Sequence, residues 1–170
     1  MNEAATIKRA ENSDLQILND LADLLETPKV EEYFETCLAA QAEGQREIFL
    51  IFFQNEVAGY VIFNRAPRYS LYKRLNIPEI QDLNTVPAFR QRGLATQLIR
   101  YCEDMARSEG FEQIGISVGL HKSFGAAQRL YCKLGYLPDG YGVTYDREAV
   151  HAGELRPIDD LLCLMMVKDL

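Results

Sequence analysis

Apolar positions recur at two spacings along the chain, and the switches between them mark its elements. Leu15, Leu18, Leu21 and Leu25 follow the three-to-four-residue spacing of one helix face. Asn12 or Ser13 is placed to cap that helix, and Ser13 with Gln16 fits a capping box. Thr6 to Arg9, just before it, reads as a short first strand. A second helix is expected to start at Thr27-Pro28, with Thr27 as cap and Pro28 in the first turn. Its apolar stripe is Val30, Tyr33, Phe34, Cys37 and Leu38, and Gly44 ends it. Ile48 to Phe53 is an unbroken apolar run, the mark of a strand covered on both faces. Asn55-Glu56 then turns the chain into a second strand, Val57 to Phe63. Ala66 to Asn76 is long for a connection, and long loops are often functional. Glu79 to Val86 reads as a strand stopped by Pro87.

The second half repeats the alternation of helix and strand. Leu94 to Arg107 is the clearest helix, with Leu94, Ala95, Leu98, Ile99, Cys102, Met105 and Ala106 on one face and Gly110 closing it. Gln113 to Val118 is a strand. Ser123 is placed to cap a helix running to Leu134, with Ala127, Leu130, Tyr131 and Leu134 facing inward and Gly135 ending it. A strand begins at Tyr136-Leu137. Asp139 to Asp159 is turn-rich, with a short strand near Val143-Thr144-Tyr145. Leu161 to Val167 is the last apolar strand; as a sheet edge it would be a contact for a homodimer. No repeat or linker interrupts the order. One domain over residues 1–170 is expected, of mixed α/β class, with helices on both faces of a mixed sheet.

Composition agrees with that picture and narrows the partners. The 170 residues, 48% hydrophobic and 25% charged, are ordinary for one globular domain. No apolar run approaches the ~20 residues of a membrane span, and the first residues lack the apolar stretch of a signal peptide, so a cytoplasmic protein with no membrane partner is expected. Eighteen basic residues against twenty-five acidic ones give a net charge of −7. The pI near 4.9 argues against non-specific binding of nucleic acid or anionic membranes. Cys37, Cys102, Cys132 and Cys163 form no CxxC pair, and only His121 and His151 could join them. Neither a metal site nor a disulfide framework is expected; the cysteines read as free, mostly buried thiols, Cys132 among them.

The segment with the clearest chemistry joins the strand ending near Val86 to the helix at Leu94. It reads Arg90-Gln91-Arg92-Gly93-Leu94-Ala95-Thr96. A helix start carries unpaired N–H groups and the positive end of the dipole. Small residues at Gly93 and Ala95 admit a ligand to the backbone, and Arg90 and Arg92 add positive charge. Together these suit a phosphate or pyrophosphate. Neither a P-loop nor a GxGxxG fingerprint is present. The plainer reading is a tight turn with solvated arginines.

Two elements here resemble the GNAT superfamily of N-acetyltransferases. Arg90-Gln91-Arg92-Gly93-Leu94-Ala95 matches its acyl-CoA signature, [Q/R]xxGx[G/A], position by position, with Pro87 just upstream. Ala127, Leu130, Tyr131, Gly135 and Tyr136 match its second element, NxxAxxLYxxxGF, with Tyr for the final Phe. The order of helices and strands follows the family too.

The resemblance implies a fold and a set of roles. The fold is a mostly antiparallel mixed sheet, splayed at the cofactor site where the strand ending at Leu83 to Val86 parts from Gln113 to Val118. Backbone groups near Thr85 and Val86 would pair with the pantetheine of acetyl-CoA as an added strand does. Backbone N–H groups from Gln91 to Thr96, beside Arg90, would hold the pyrophosphate. An amine would attack the acetyl thioester directly, which requires a base to deprotonate it and an acid to protonate the departing thiolate. Tyr131 would be that acid. Glu79 and Asp82 are both candidates for the base; three positions apart on a strand, they tend to face opposite ways. His121 is a conceivable base or phosphate contact, though it reads more simply as a surface histidine. Cys132 reads as a small packing residue, because direct transfer needs no acyl-enzyme. One departure stands out: Phe124 occupies the family's Asn position, so any contact of that Asn is lost or moved to Ser123 or Gln128.

The acceptor is bordered, by the same resemblance, by residues 66–76 and 139–159. The first is basic, with Arg65, Arg68, Lys73 and Arg74; the second is mostly acidic, with Asp139, Asp146, Glu148, Glu154, Asp159 and Asp160. An acidic wall suits a polyamine and a basic one a carboxylate-bearing amine, and here the two conflict. The leading expectation is acetylation of a small primary amine. The alternatives are a protein or peptide acceptor, or a CoA-binding module without catalysis.

Overall fold

The structure is a computed structural model that describes residues 5–25 and 29–170. The cap expected at Thr27-Pro28 lies outside the described residues. The rest forms a mixed α/β fold with eight strands and five α-helices among the described residues. Contacts divide the chain into two compact units, residues 1–65 with 80–102, and residues 66–79 with 103–170.

In the first unit the strands are β1 (Thr6–Arg9), β2 (Arg46–Phe53), β3 (Glu56–Asn64) and most of β4 (Glu79–Thr85), hydrogen-bonded in that order. β2 pairs antiparallel with both β1 and β3. The β2–β3 turn is Gln54-Asn55, both at positive φ (54° and 63°), the two-residue geometry that matches strand twist. β2 is buried on both faces, as its unbroken apolar run demanded. Ile48 and Leu50 join a core of Leu18, Leu21, Phe34, Cys37, Tyr60 and Ile62, supplied by α1 (Leu15–Leu24), α2 (Tyr33–Ala42) and β3. Phe49, one position out of phase, packs edge-on at 4.8 Å against Tyr101. Each fully buried Leu or Phe contributes about 2 kcal/mol.

The helix starts differ from expectation. Glu11, not Asn12 or Ser13, opens the first helical turn, and its box partner is Asp14, whose carboxylate accepts the Glu11 N–H at 2.9 Å. Asp14 wins because Lys8 also reaches it, at 3.0 Å. Val30 lies outside α2 and is exposed, so the stripe begins at Tyr33.

In the second unit the strand order is β5 (Gln113–Gly119), β8 (Leu162–Asp169), β6 (Leu137–Tyr145), β7 (Glu148–Ala149). β8 pairs antiparallel with β5 on one side and β6 on the other. It is therefore an interior strand, and its expected role as an edge and dimer contact falls away. Residues 66–76 are not a plain loop: Ser70–Leu75 forms α3, which sets Leu71 and Tyr72 into a small core with Tyr69, Ile77 and Met165. The turn-rich stretch from Asp139 likewise begins inside β6 and continues through the β6–β7 hairpin. α4 runs Leu94–Ser108 and α5 runs Gly125–Lys133. Ser123 belongs to a short 3-10 turn before α5, capped by His121. No helix among the described residues is long and apolar enough to cross a membrane.

Candidate active site

The Arg90–Thr96 segment wraps the start of α4. Gln91 and Gly93 both hold positive φ (61° and 76°), so the backbone coils there. Gln97 N–H is the first to bond back, to Gly93 O at 3.0 Å. Among the described residues no backbone bond takes the N–H groups of Gln91, Arg92, Gly93, Leu94, Ala95 or Thr96. Such a run of amides is an anion-binding concavity. A Cβ placed on Gly93 would meet nothing within 4 Å, so the backbone is open to approach on that side, while its φ disfavours any side chain. The two arginines are held beside the turn: Arg90 Nε donates to Thr85 O at 3.3 Å, and the Arg92 guanidinium lies 5.2 Å from the centre of the Phe53 ring. Val86 is engaged on both sides, its N–H with Ala58 O at 2.8 Å and its carbonyl with Phe89 N at 2.9 Å. Its N–H is thus engaged with β3, while its carbonyl keeps a second lone pair. Alternation along the strand aims the groups of Thr85 the opposite way from β3.

Asp82 lies on β4 with φ +50°, a break in the extended path that costs a non-glycine residue about 1–2 kcal/mol. Its carboxylate collects four donors: Lys29 Nζ at 2.7 Å, Asn84 Nδ2 at 2.8 Å, Tyr60 Oη at 2.7 Å and Tyr33 Oη at 3.1 Å. Burial, and then the Asp82 charge, push both phenols above their ordinary range. A carboxylate has about four lone-pair sites, and here all are taken.

Glu79 is fully buried at the start of the same strand. Arg147 Nη2 donates to its Oε1 at 2.6 Å. Arg147 sits at the β6–β7 turn, where Asp146 and Arg147 both have positive φ (47° and 67°). Neither carboxylate is the solvated strand-end group that exposure statistics favour.

Tyr131 is the buried residue of α5, 6% exposed. Burial pushes its phenol up to about 12. Its ring lies 6.2 Å from that of Tyr136, and no hydrogen bond ties its hydroxyl to a backbone carbonyl among the described residues. Phe124 packs on Gly119, where a Cβ would come within 2.4 Å of the ring, so those two positions fit only together. The substitutes expected for the Asn contact are occupied: Gln128 Nε2 donates to Gly119 O at 2.8 Å, and Ser123 Oγ bonds His121 Nδ1 at 2.9 Å. His121 Nε2 in turn meets Asp160 at 2.8 Å. Cys132 is exposed, not buried; of the thiols, Cys37 and Cys102 are buried and Cys163 is half-buried.

A model of the acetyltransferase (GNAT) family matches residues 16–136. The chain belongs to this family. It is an acyltransferase that uses acetyl-CoA, as the two sequence elements implied. Similar folds are found in solved structures. One is a Salmonella typhimurium acetyl transferase that modifies the N-terminal serine of 50S ribosomal subunit protein L7/L12, 16% identical, covering 98% of this chain and 95% of that one, TM-score 0.72. Another is an N-acetyltransferase from Staphylococcus aureus Mu50, 18% identical, covering 98% of both chains, TM-score 0.70. A third is an Arabidopsis thaliana protein in complex with the bisubstrate analogue CoA-Ac-MVNAL, 13% identical, covering 98% and 99%, TM-score 0.67. No curated protein matches the sequence.

Sequence reasoning missed several residues of this acetyltransferase. Lys29, Tyr33, Tyr60 and Asn84 gather on Asp82 from separate elements, and nothing local announces it. Arg147 was hidden because Asp146-Arg147 lacks the Asn-Gly signature of its turn type. Glu103 sits on the buried side of α4, bonded by Tyr136 Oη at 3.0 Å and Lys168 Nζ at 2.8 Å; its charge masked its place in the apolar pattern.

Proposed function

We propose that this GNAT enzyme acetylates a small primary amine. The observation that carries the reading is the mutual bonding of the two segments expected to border the acceptor. Arg68 Nη2 donates to Asp146 Oδ1 at 2.9 Å, and Tyr69 Oη to Asp139 Oδ2 at 2.6 Å. A protein acceptor needs an open groove, and segments bonded to one another favour a small molecule instead. The protein-directed activities of two of the similar structures belong to those proteins, at identities that speak to fold alone.

Acetyl-CoA fits the residues present. The amides from Gln91 to Thr96 would receive its pyrophosphate, with Arg90 and Arg92 adding charge, and Thr85 would meet the pantetheine; acetyl-CoA supplies an activated thioester. Glu79 takes the role of base in this reading, because every acceptor site of Asp82 is already filled. Glu79 accepts the ammonium proton, directly or through water, and the freed amine attacks the acetyl carbonyl. Tyr131 gives its proton to the departing CoA sulfur; its hydroxyl, kept neutral by burial, holds that proton across the working pH range. The family match spans parts of both compact units, which supports reading residues 1–170 as one acetyltransferase domain. The test is CoA-thiol release from acetyl-CoA across amino acids, polyamines, aminoglycosides, arylamines and short peptides. Turnover of a small amine is expected; silence with all of them but turnover of peptides would replace the reading.

A further inference from the structure

Tyr136 stands where the second sequence element has Phe, and the hydroxyl it adds is bonded deep inside the second unit. It donates to Glu103 Oε1 at 3.0 Å, and Lys168 Nζ donates to the same oxygen at 2.8 Å. Lys168 also lies 5.6 Å from the centre of the Tyr136 ring, and Arg107 stands 3.8 Å from the other carboxylate oxygen. Glu103 belongs to α4, Lys168 to β8, and Tyr136 to the junction of α5 and β6. An apolar trio of similar volume often packs with no loss of stability, so stability alone does not account for a buried carboxylate here. What a satisfied polar network adds is a fixed place for the ring it holds.

Tyr136 is also the residue that closes α5. Gly135, at φ +93°, takes the left-handed position; its N–H donates to Cys132 O at 3.1 Å, and the Tyr136 N–H donates to Tyr131 O at 3.0 Å. These are the two bonds of a Schellman motif, with Tyr131 and Tyr136 at its ends. Their rings lie 6.2 Å apart, the side-chain contact that accompanies the motif. No hydrogen bond among the described residues aims the Tyr131 hydroxyl, so its direction is set by what packs on the ring. We propose that Glu103 is a positioning residue for the transfer: through Tyr136 it fixes the ring of Tyr131, and with it the aim of the hydroxyl. This rests on the reading of Tyr131 as proton donor to the departing thiolate. Glu103 touches neither substrate nor cofactor in this role; it acts on a neighbour of the donor, and Lys168 keeps its charge paired.

The test is a double-mutant cycle read by CoA-thiol release in the full chain, with saturating acetyl-CoA and the best acceptor of the amine and peptide panel. Tyr136→Phe, which removes only the hydroxyl, is expected to lower kcat roughly tenfold, the scale of a small misplacement at a reacting group. The calorimetric Kd for acetyl-CoA and the acceptor KM stay within about twofold. In a Tyr131→Phe background the same substitution lowers kcat no further, because the group it aims is gone. Glu103→Leu with Lys168→Met removes both buried charges together and gives the same loss. Glu103→Gln with Lys168→Met, which restores an acceptor oxygen for the Tyr136 hydroxyl, recovers most of it. A wild-type kcat in Tyr136→Phe overturns the proposal, and so do losses that multiply in the double variant, the result of a merely structural role. Should the paired variants fail to fold, the Tyr136→Phe cycle decides alone. A wild-type kcat in Tyr131→Phe sinks the reading of Tyr131 as donor, and the positioning role with it.

Discussion

Glu79 and Asp82 stand three positions apart on β4, and on sequence grounds they were equal candidates for the same job. Their surroundings part them. Asp82 receives a lysine, an amide and two phenols, contributed by α2, β3, β4 itself and the segment before α2. Glu79 is more deeply buried, and the guanidinium of Arg147 bonds its Oε1. A saturated carboxylate is a structural knot, fixing the kink at φ +50° beside which Thr85 and the Arg90–Thr96 turn follow. Residue type does not separate the two cases; the saturation of Asp82 by donors from four places does.

The sharpest way to break this comparison is to remove each charge in turn. Glu79→Gln is expected to lower kcat by roughly 10²–10⁴, the usual worth of a general base, with little change in acetyl-CoA affinity. A wild-type kcat in this variant would return the role of base to another group. Asp82→Ala is expected to act on stability instead. It leaves Lys29, 19% exposed, without its counter-ion and two phenols without their acceptor. A loss of about 2–3 kcal/mol is predicted in denaturant unfolding, below the full cost of a buried pair because both partners retain some solvent. A change under about 0.5 kcal/mol would remove the knot.

Two smaller effects sharpen the account of the remaining residues. Tyr131→Phe should cut turnover roughly 100-fold while the Kd for acetyl-CoA holds, the split expected of a proton donor. Its pH behaviour has a definite sign. Burial disfavours the phenolate, so the folded pKa, about 12, lies above the ordinary value of 10.0. The stabilisation from keeping this group neutral is complete below pH 10 and is lost as pH rises through about 12. The donor accordingly causes no fall in kcat at pH 10, and a fall there that vanishes in Tyr131→Phe would contradict the burial argument. Gly93→Val is expected to weaken acetyl-CoA about tenfold, since a β-branched residue at φ +76° costs about 1–2 kcal/mol and points a side chain where the backbone is open. Unchanged affinity by calorimetry would remove the pyrophosphate assignment.

Much of the fold was legible because periodicity and burial agree. Ile48 to Ile51 of the run Ile48 to Phe53 are buried, and the face Leu94, Leu98, Ile99, Cys102, Ala106 of α4 is buried as its spacing required. The phosphate turn was legible because its chemistry is local: small residues, arginines and a helix start lie within seven positions. The other half of the site was not. β8 looked like an edge because an apolar strand at the end of a chain gives no sign of which neighbours flank it. α3 was missed because six residues give too little periodicity to read. Arg147 meets Glu79, and Lys29, Tyr33 and Tyr60 meet Asp82, only through tertiary structure, and a single sequence carries no trace of such pairings.

The most direct measurement is the ratio of kcat/KM for the best small amine to that for the best N-terminal peptide, by CoA-thiol release at saturating acetyl-CoA. The account predicts that the small amine leads. A lead for the peptide, in protein that binds acetyl-CoA, would contradict the central claim and place the acceptor among macromolecules.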